Sequence, residues 1–359
     1  MDGFLLDPQK LQKNIAKLDS LLNHTTDVLV KAEWQDRPFN IFDQPLCRDD
    51  AESEFNIYLS QYNMHAEAAQ NGLDNVPFFR VDFCRVAYQM AIAYGCKTFD
   101  APGVINARPM ISDINDVYKI KKLENILEHG YYPELVRRMH VIEDRLGDVG
   151  FVPADTQSPI DVLTSIVDTE EVMCAMFEDP DALHYLLDIL TESIAESVEG
   201  LRGEVKNWIG SGHDYPITKG IHLSDDNAAF LSPTAYREFA QPYSERLAQC
   251  FDGVTLHCCM RHFQCIEPMC NTKGLLGMDA QFNWHSDEEI LPYIKGKGFL
   301  RQFWLPEGKN WVDFSKEIID KTEGICGLMI EVGANTKQEA IDQALEIKEY
   351  AAKKGRIHE

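Results

Sequence analysis

An α/β fold of the (β/α)8 or TIM-barrel type, with an N-terminal helical extension, is predicted on three observations. From residue 76 onward, short β-prone runs alternate with longer runs of helical periodicity, the texture of parallel strands joined by crossover helices. Eight such runs in about 280 residues suit a closed barrel better than an open sheet. The runs also end in Asp, Glu, His, Cys or Trp, and in such barrels the working residues sit at the C-terminal ends of the strands.

In chain order, residues 1–75 read as a helical cap and residues 76–359 as the barrel. Leu11, Ile15, Leu18 and Leu22 recur at helical spacing, and the acidic run Asp50 to Glu54 opens a second helical pattern. The strand candidates are Val76 to Asp82, a weak one near Phe99, Gly150 to Asp155, Thr218 to Asp225, Gly253 to His257, Gly274 to Asp279, Gly298 to Trp304 and Cys326 to Val332. Helix starts are legible between them. Asp179-Pro180 precedes Leu183, Leu186, Leu187, Leu190 and Ile194, and Ser232-Pro233 opens the stretch to Cys250, proline being suited to a first helical position. Ser286 with Glu289 and Thr336 with Glu339 have capping-box spacing.

Composition narrows the function. With 359 residues and 45% apolar content, a disordered, collagenous or disulfide-stapled chain is excluded. Acidic residues outnumber Lys and Arg 58 to 34, a formal charge of −24, which argues against nucleic acid or an anionic membrane surface as partner. The start, Met1 to Pro8, has no signal-peptide pattern, and no apolar run approaches membrane-spanning length; a cytoplasmic protein is expected. Five of the ten cysteines fall between Cys250 and Cys270, better explained by reduced thiols or metal ligands than by disulfides.

The most specific local feature is Leu256-His257-Cys258-Cys259-Met260-Arg261-His262. At a strand end, residues two apart point the same way, so His257 and Cys259 can face one centre while Cys258 turns away. An imidazole and a thiolate at that spacing suit Zn2+. The same pair also suits a hydrogen-bonded interior histidine beside a small buried hydrophobe. His262 and Cys265, like Cys250 and Cys270, read as packing residues. Asp82, Asp155 and Asp226 are the expected acid or base groups, and Asp225, Asp279 and Trp304 the expected substrate contacts. Each aspartate alone can be a loop cap, but carboxylates crowded at strand ends acquire raised pKa values useful for proton transfer. No Ser-His-Asp order, phosphate-cradling loop or dinucleotide fingerprint is present.

Several stretches resemble the uroporphyrinogen decarboxylase superfamily: Val81 to Lys97 with its Ala93-Tyr94-Gly95-Cys96-Lys97, Arg108 to Val117, Phe177 to His184, Asp225 to Tyr243, and Leu256 to Cys259. The resemblance spans about residues 75 to 350 in order. It implies a (β/α)8 barrel with one pocket at the C-terminal rim, and it admits two chemistries. The tetrapyrrole decarboxylases work without metal and carry an N-terminal arginine-rich segment; here Arg37 stands alone beside Asp36. The corrinoid-dependent methyltransferases bind Zn2+ through a His-x-Cys pair and a distant cysteine, and take the methyl group from methylcobalamin on a partner protein.

His257 and Cys259 match that pair. The distant cysteine position aligns with Ala334, and Cys326 lies at the wrong end of its strand. Glu331, or an aspartate of the Asp225-Asp226 pair, is the expected replacement, which makes the site harder and better suited to an oxygen substrate or water. The resemblance thus implies a metal-dependent methyltransferase acting on a small molecule with a corrinoid protein, metal at His257, Cys259 and Glu331, and an open oligomeric state. The alternatives are a metal-independent decarboxylase using Asp82 and a non-catalytic ligand-binding relative.

Overall fold

The computed structural model describes residues 7–34, 51–80, 88–101, 104–210, 212 and 215–357. Its strands are β1 (Val28–Trp34), β2 (Phe79–Arg80), β3 (Lys97–Ala101), β4 (Val104–Arg108), β5 (Phe151–Val152), β6 (Ile221–Ser224), β7 (Val254–His257), β8 (Leu275–Asp279), β9 (Phe299–Gln302) and β10 (Gly327–Ala334). Six of them form one parallel sheet in the order β1-β10-β9-β8-β7-β6, and β2 pairs in parallel with β5. The long helices lie between consecutive strands, as right-handed crossovers require. Ladder pairing stops between β1 and β2 and between β5 and β6, so the described residues show a parallel α/β core in two arcs.

Polar groups take over where the ladder stops. The Asn75 amide acts as a peptide surrogate, its Oδ1 accepting from the Ala32 N–H and its Nδ2 donating to the Ala32 carbonyl, both at 3.0 Å. Asp74 adds a backbone bond from its N–H to the Val30 carbonyl. At the other gap, Gln157 and Ser224 form a single parallel bridge.

Two expectations are corrected. Residues 1–75 are not wholly a helical cap, because β1 is a full strand of the main sheet, in register with β10 from Val28 opposite Leu328 to Trp34 opposite Ala334. The helices Pro8–Leu22 and Ala51–Gln70 flank it. The candidate strand near Phe99 belongs instead to the antiparallel β3–β4 hairpin, off both parallel sheets. Of the run expected over Val76 to Asp82, the described residues pair at Phe79–Arg80, and Val81 and Asp82 lie outside the described residues.

Strand periodicity explains where the core sits. Val28, Val30 and Ala32 join the large apolar cluster between sheet and helices. Leu29 points the other way, into a smaller cluster with Phe299, Met329, Leu276 and Tyr215, covered by Leu18, Leu21 and Leu22 of the first helix. Two residues further along the same strands, on that same face, stand Lys31, Arg301 and Glu331. The inner face is therefore apolar at the N-terminal ends of the strands and charged toward their C-terminal ends.

The predicted helix caps form. Asp179 and Ser232 accept from the N–H groups of Ala182 and Ala235, Ser286 and Glu289 close a capping box, and Thr336 accepts from Glu339 N–H. Among the described residues no helix is long and apolar enough to cross a membrane.

Candidate functional site

Five adjacent strands each contribute one charged or ionisable side chain to a continuous buried row. Lys31 Nζ of β1 lies 2.6 Å from Glu331 Oε2 of β10, and Glu331 lies 3.2 Å from Arg301 Nη2 of β9. Arg301 Nη1 is 3.3 Å from Asp279 Oδ2 of β8, which in turn accepts from His257 Nδ1 of β7 at 2.6 Å. Signs alternate along the row, so every interior charge meets an opposite one on each side. That arrangement offsets the desolvation that makes an isolated buried ion costly. Phe303 and Tyr215 cover the guanidinium, their ring centroids 4.2 and 4.9 Å from it.

The row ends by orienting His257. In the neutral ring, donation from Nδ1 to Asp279 leaves the imidazole lone pair on Nε2, the arrangement by which carboxylates present histidine to a metal; without a metal the same bond favours the protonated ring. Burial disfavours charge on Asp279, but Arg301 and His257 outweigh it and hold its carboxyl below the usual range. Burial likewise opposes charge on His257, yet its hydrogen bonds to Asp279 and Cys259 lift the imidazole well above its ordinary pKa. Burial raises the Cys259 thiol, with His257 pulling it down and Asp226 pushing it up.

Beyond β7 the chain turns outward, leaving Cys259 exposed and Cys258 buried. Both sides of Cys259 are held: its N–H donates to Asp226 Oδ1 at 2.7 Å, and its carbonyl accepts from the Trp284 indole at 3.1 Å. Arg261 ties the same loop to the Trp284 carbonyl and to Glu289. Asp226 is positioned in turn by buried Asp161, whose two oxygens accept from the N–H groups of Asp226 and Asn227 at 2.7 and 2.9 Å. Burial, then Asp225 and Asp226, raise Asp161 well above a normal carboxylate.

Among the described residues two sets of three side chains bring ligand atoms within 4.8 Å of one another: Asp226, His257 and Cys259, and His222, His257 and Asp279. The second set is committed internally. His222 Nδ1 contacts Thr255 Oγ1 at 2.8 Å, and Asp279 already serves His257 and the Arg301 cation. The first set opens at the rim and offers nitrogen, sulfur and oxygen donors, a combination that fits Zn2+.

Several sequence expectations are revised by these contacts. Glu331 is bound between Lys31 and Arg301 and lies outside both ligand sets; of the expected alternatives, Asp226 is the one that joins His257 and Cys259 in a set. Asp279, expected to touch substrate, is buried and orients His257. Asp225, expected likewise, is fully buried and accepts from Ser158 and Tyr236 at 2.9 and 2.5 Å; burial raises its pKa to about 6 against those two bonds.

The remaining expected residues take different places. Asp155 is half-buried beyond β5 and accepts from Ser224 Oγ at 2.7 Å. Trp304 is exposed just past β9, and Asp82 lies outside the described residues. His262, Cys265 and Cys270 are buried, whereas Cys250 is exposed.

Sequence reasoning missed Lys31, Arg301, Asp161 and Tyr88. The first two carried a signal, a lone cation inside an otherwise apolar strand pattern. Tyr88 carried none. Its phenol is raised by burial and by Asp161, Asp226, Asp155 and Cys259, which places it beside the rim.

A methyltransferase from Methanosarcina mazei has a similar fold, with a TM-score of 0.61 and 18% identity, covering 96% of this chain and 99% of that one. No curated protein sequence matches significantly. The family model for uroporphyrinogen decarboxylase (URO-D) matches residues 67–291, more than half of the 359 residues. The chain therefore belongs to the uroporphyrinogen decarboxylase family.

Proposed function

We propose that this URO-D family enzyme is a metal-dependent methyltransferase, with Zn2+ held by His257, Cys259 and Asp226 and a corrinoid protein as methyl-carrying partner. The observation that carries the reading is the open His257–Cys259–Asp226 set, aimed by the Asp279 hydrogen bond and anchored by Asp161. The two parallel arcs are read as one (β/α)8 barrel, with this set at its C-terminal rim.

A bound Zn2+ would supply Lewis-acid activation, lowering the pKa of a coordinated substrate hydroxyl or thiol. The protein's own groups do the rest. Asp279 fixes the His257 ring and its tautomer. Asp226 supplies an oxygen donor in place of a second sulfur, which favours oxygen-bearing substrates. Asp155 and Tyr88 stand beside the set as the groups available to hold or pass a proton.

Partner docking is supported by the rim surface. Phe230, Phe263, Trp284 and Trp304 are all exposed, and they lie in the loops that follow β6, β7, β8 and β9 respectively. Aromatic side chains at such positions are what a protein interface or a flat macrocycle uses. The structural likeness to a methyltransferase points the same way, and the cytoplasm is the compartment this reading requires.

Metal analysis of the purified chain tests the proposal. About one zinc per chain is expected, falling to trace in His257→Ala, Cys259→Ala and Asp226→Ala and persisting in folded Glu331→Gln. Equal, substoichiometric zinc in all of these proteins would overturn it. Decarboxylation of a tetrapyrrole that is unchanged by chelator would favour the metal-free alternative instead.

A further inference from the structure

The described residues line a second feature next to the rim, a small cavity that opens to solvent. Gln89, Gln157, Asp155, Met90, Val162 and Leu201 contribute to its wall, whose described residues include no Lys, Arg or His. Gln89 is only 3% exposed, yet among the described residues neither its Oε1 nor its Nε2 has a hydrogen-bond partner, and Gln157 Oε1 has none either. Buried amides without partners are rare, because each orphaned group retains its full desolvation cost. Two such side chains lining one cavity mark a place built for a ligand.

We propose that this cavity is a subsite for the primary carboxamide end of a small, uncharged substrate. The unpaired set consists of two acceptor oxygens and one NH2 donor. A primary carboxamide offers the complement: one N–H to Gln89 Oε1 and its carbonyl to Gln89 Nε2 as an edge-to-edge pair, with the second N–H left for Gln157 Oε1. Turning the Gln89 amide over leaves that complement unchanged. A carboxylate would set oxygen against oxygen, close to Asp155 and with no cation among the described wall residues. An ammonium group would leave Gln89 Nε2 unpaired.

The subsite adjoins the candidate metal set. Asp155, part of its wall, accepts from Ser224 Oγ, and Ser224 stands in register with His257 on the next strand. Tyr88, the residue before Gln89, is near enough to Asp226 and Cys259 for their charges to raise its phenol. A substrate seated by its carboxamide would thus extend its other end toward the rim. Assigning the bound amide as substrate rests on the metal-site reading above; the subsite itself does not.

Saturation-transfer NMR on the full chain tests this, with propionamide, propionate and propylamine as probes. Propionamide is expected to bind, with the other two at least about tenfold weaker. Gln89→Met keeps the bulk and removes the unpaired atoms. It should weaken propionamide about tenfold while leaving thermal stability equal or higher, since no intramolecular bond is lost. Cys259→Ala should lose zinc and still bind propionamide. Equal binding of amide and carboxylate, or unchanged binding in folded Gln89→Met, would overturn the subsite and leave the cavity to water. Zinc retained in Cys259→Ala alongside intact amide binding would instead refute the metal reading alone.

Discussion

Replacing Arg301 with methionine is the sharpest perturbation of the buried charge row. Arg301 is 1% exposed and lies between Asp279 and Glu331, at 3.3 and 3.2 Å. Methionine keeps contact with Phe303 and Tyr215 but removes the cation shared by two carboxylates. Breaking a buried ion pair by deleting one partner costs about 3–5 kcal/mol. Here each carboxylate retains another cation, Lys31 for Glu331 and His257 for Asp279, so the lower end, about 3 kcal/mol, is expected.

With an unfolding entropy of about 2 cal/mol/K per residue, the 359-residue chain would lose roughly 4 °C in Tm. Because Asp279 orients His257, zinc affinity should fall about 10- to 100-fold as well. Arg301→Lys should lie between wild type and Arg301→Met, since a lysine cannot bridge both carboxylates with a planar fork. Thermal unfolding and zinc titration against a competing chelator read both effects. A Tm change under about 1 °C together with an unchanged zinc Kd would refute the idea that the row acts as one unit.

Two further perturbations bear on the loops and on the sheet arcs. Buried His262 donates from Nδ1 to the Met260 carbonyl at 2.7 Å and packs edge-on against His285 at 4.5 Å; burial pushes its pKa down to about 3. The unfolded chain binds that proton near pH 6.5 and the folded chain does not. Stability from His262 is therefore complete above pH 6.5 and is lost as pH falls, by about 2 kcal/mol at pH 5. Denaturant titrations of His262→Phe between pH 7.5 and 5 should show a correspondingly shallower slope, and an unchanged slope would count against a neutral His262. Asn75→Ala should cost about 2–4 kcal/mol, because it strands both the N–H and the carbonyl of buried Ala32. A loss under about 0.5 kcal/mol in the same assay would show that the Asn75 amide does not join β1 to the chain before β2.

Much of the parallel α/β core was legible because periodicity reports burial on one face. The runs around Val254, Leu275, Phe299 and Leu328 are short, apolar and bounded by glycine, and all four are strands of the main sheet. β1 was hidden because Lys31 and Glu33 interrupt its apolar pattern, and those charges are there for the inner face rather than for solvent. Phe99 misled for the opposite reason: a β-prone run beside Thr98 pairs equally well in an exposed hairpin. At the site, His257 and Cys259 declared themselves by adjacency, since spacing of two on a strand fixes direction. Whether Asp225 or Asp226 faces the rim was not legible. A one-residue difference at a strand end reverses direction, and only the contacts of Asp225 with Ser158 and Tyr236 settle which of the two is turned inward.

The revised third ligand changes the character of the site as well as its membership. A ligand at Glu331 would have drawn the metal toward Arg301, where a buried guanidinium 3.2 Å away repels a divalent cation. Asp226 lies on the opposite side of His257, in the loop after β6, next to Asp161 and away from that guanidinium. The interior row and the ligand set then divide the labour at His257: one ring nitrogen is fixed by the charge row through Asp279, and the other is offered to the rim. Under the proposed ligand set Ala334 is not a missing ligand, because the last strand contributes Glu331 to the row and the loop after β6 would supply the third donor, Asp226. The substrate is correspondingly expected on the β5–β6 side, where Asp155, Tyr88 and the Gln89 cavity lie.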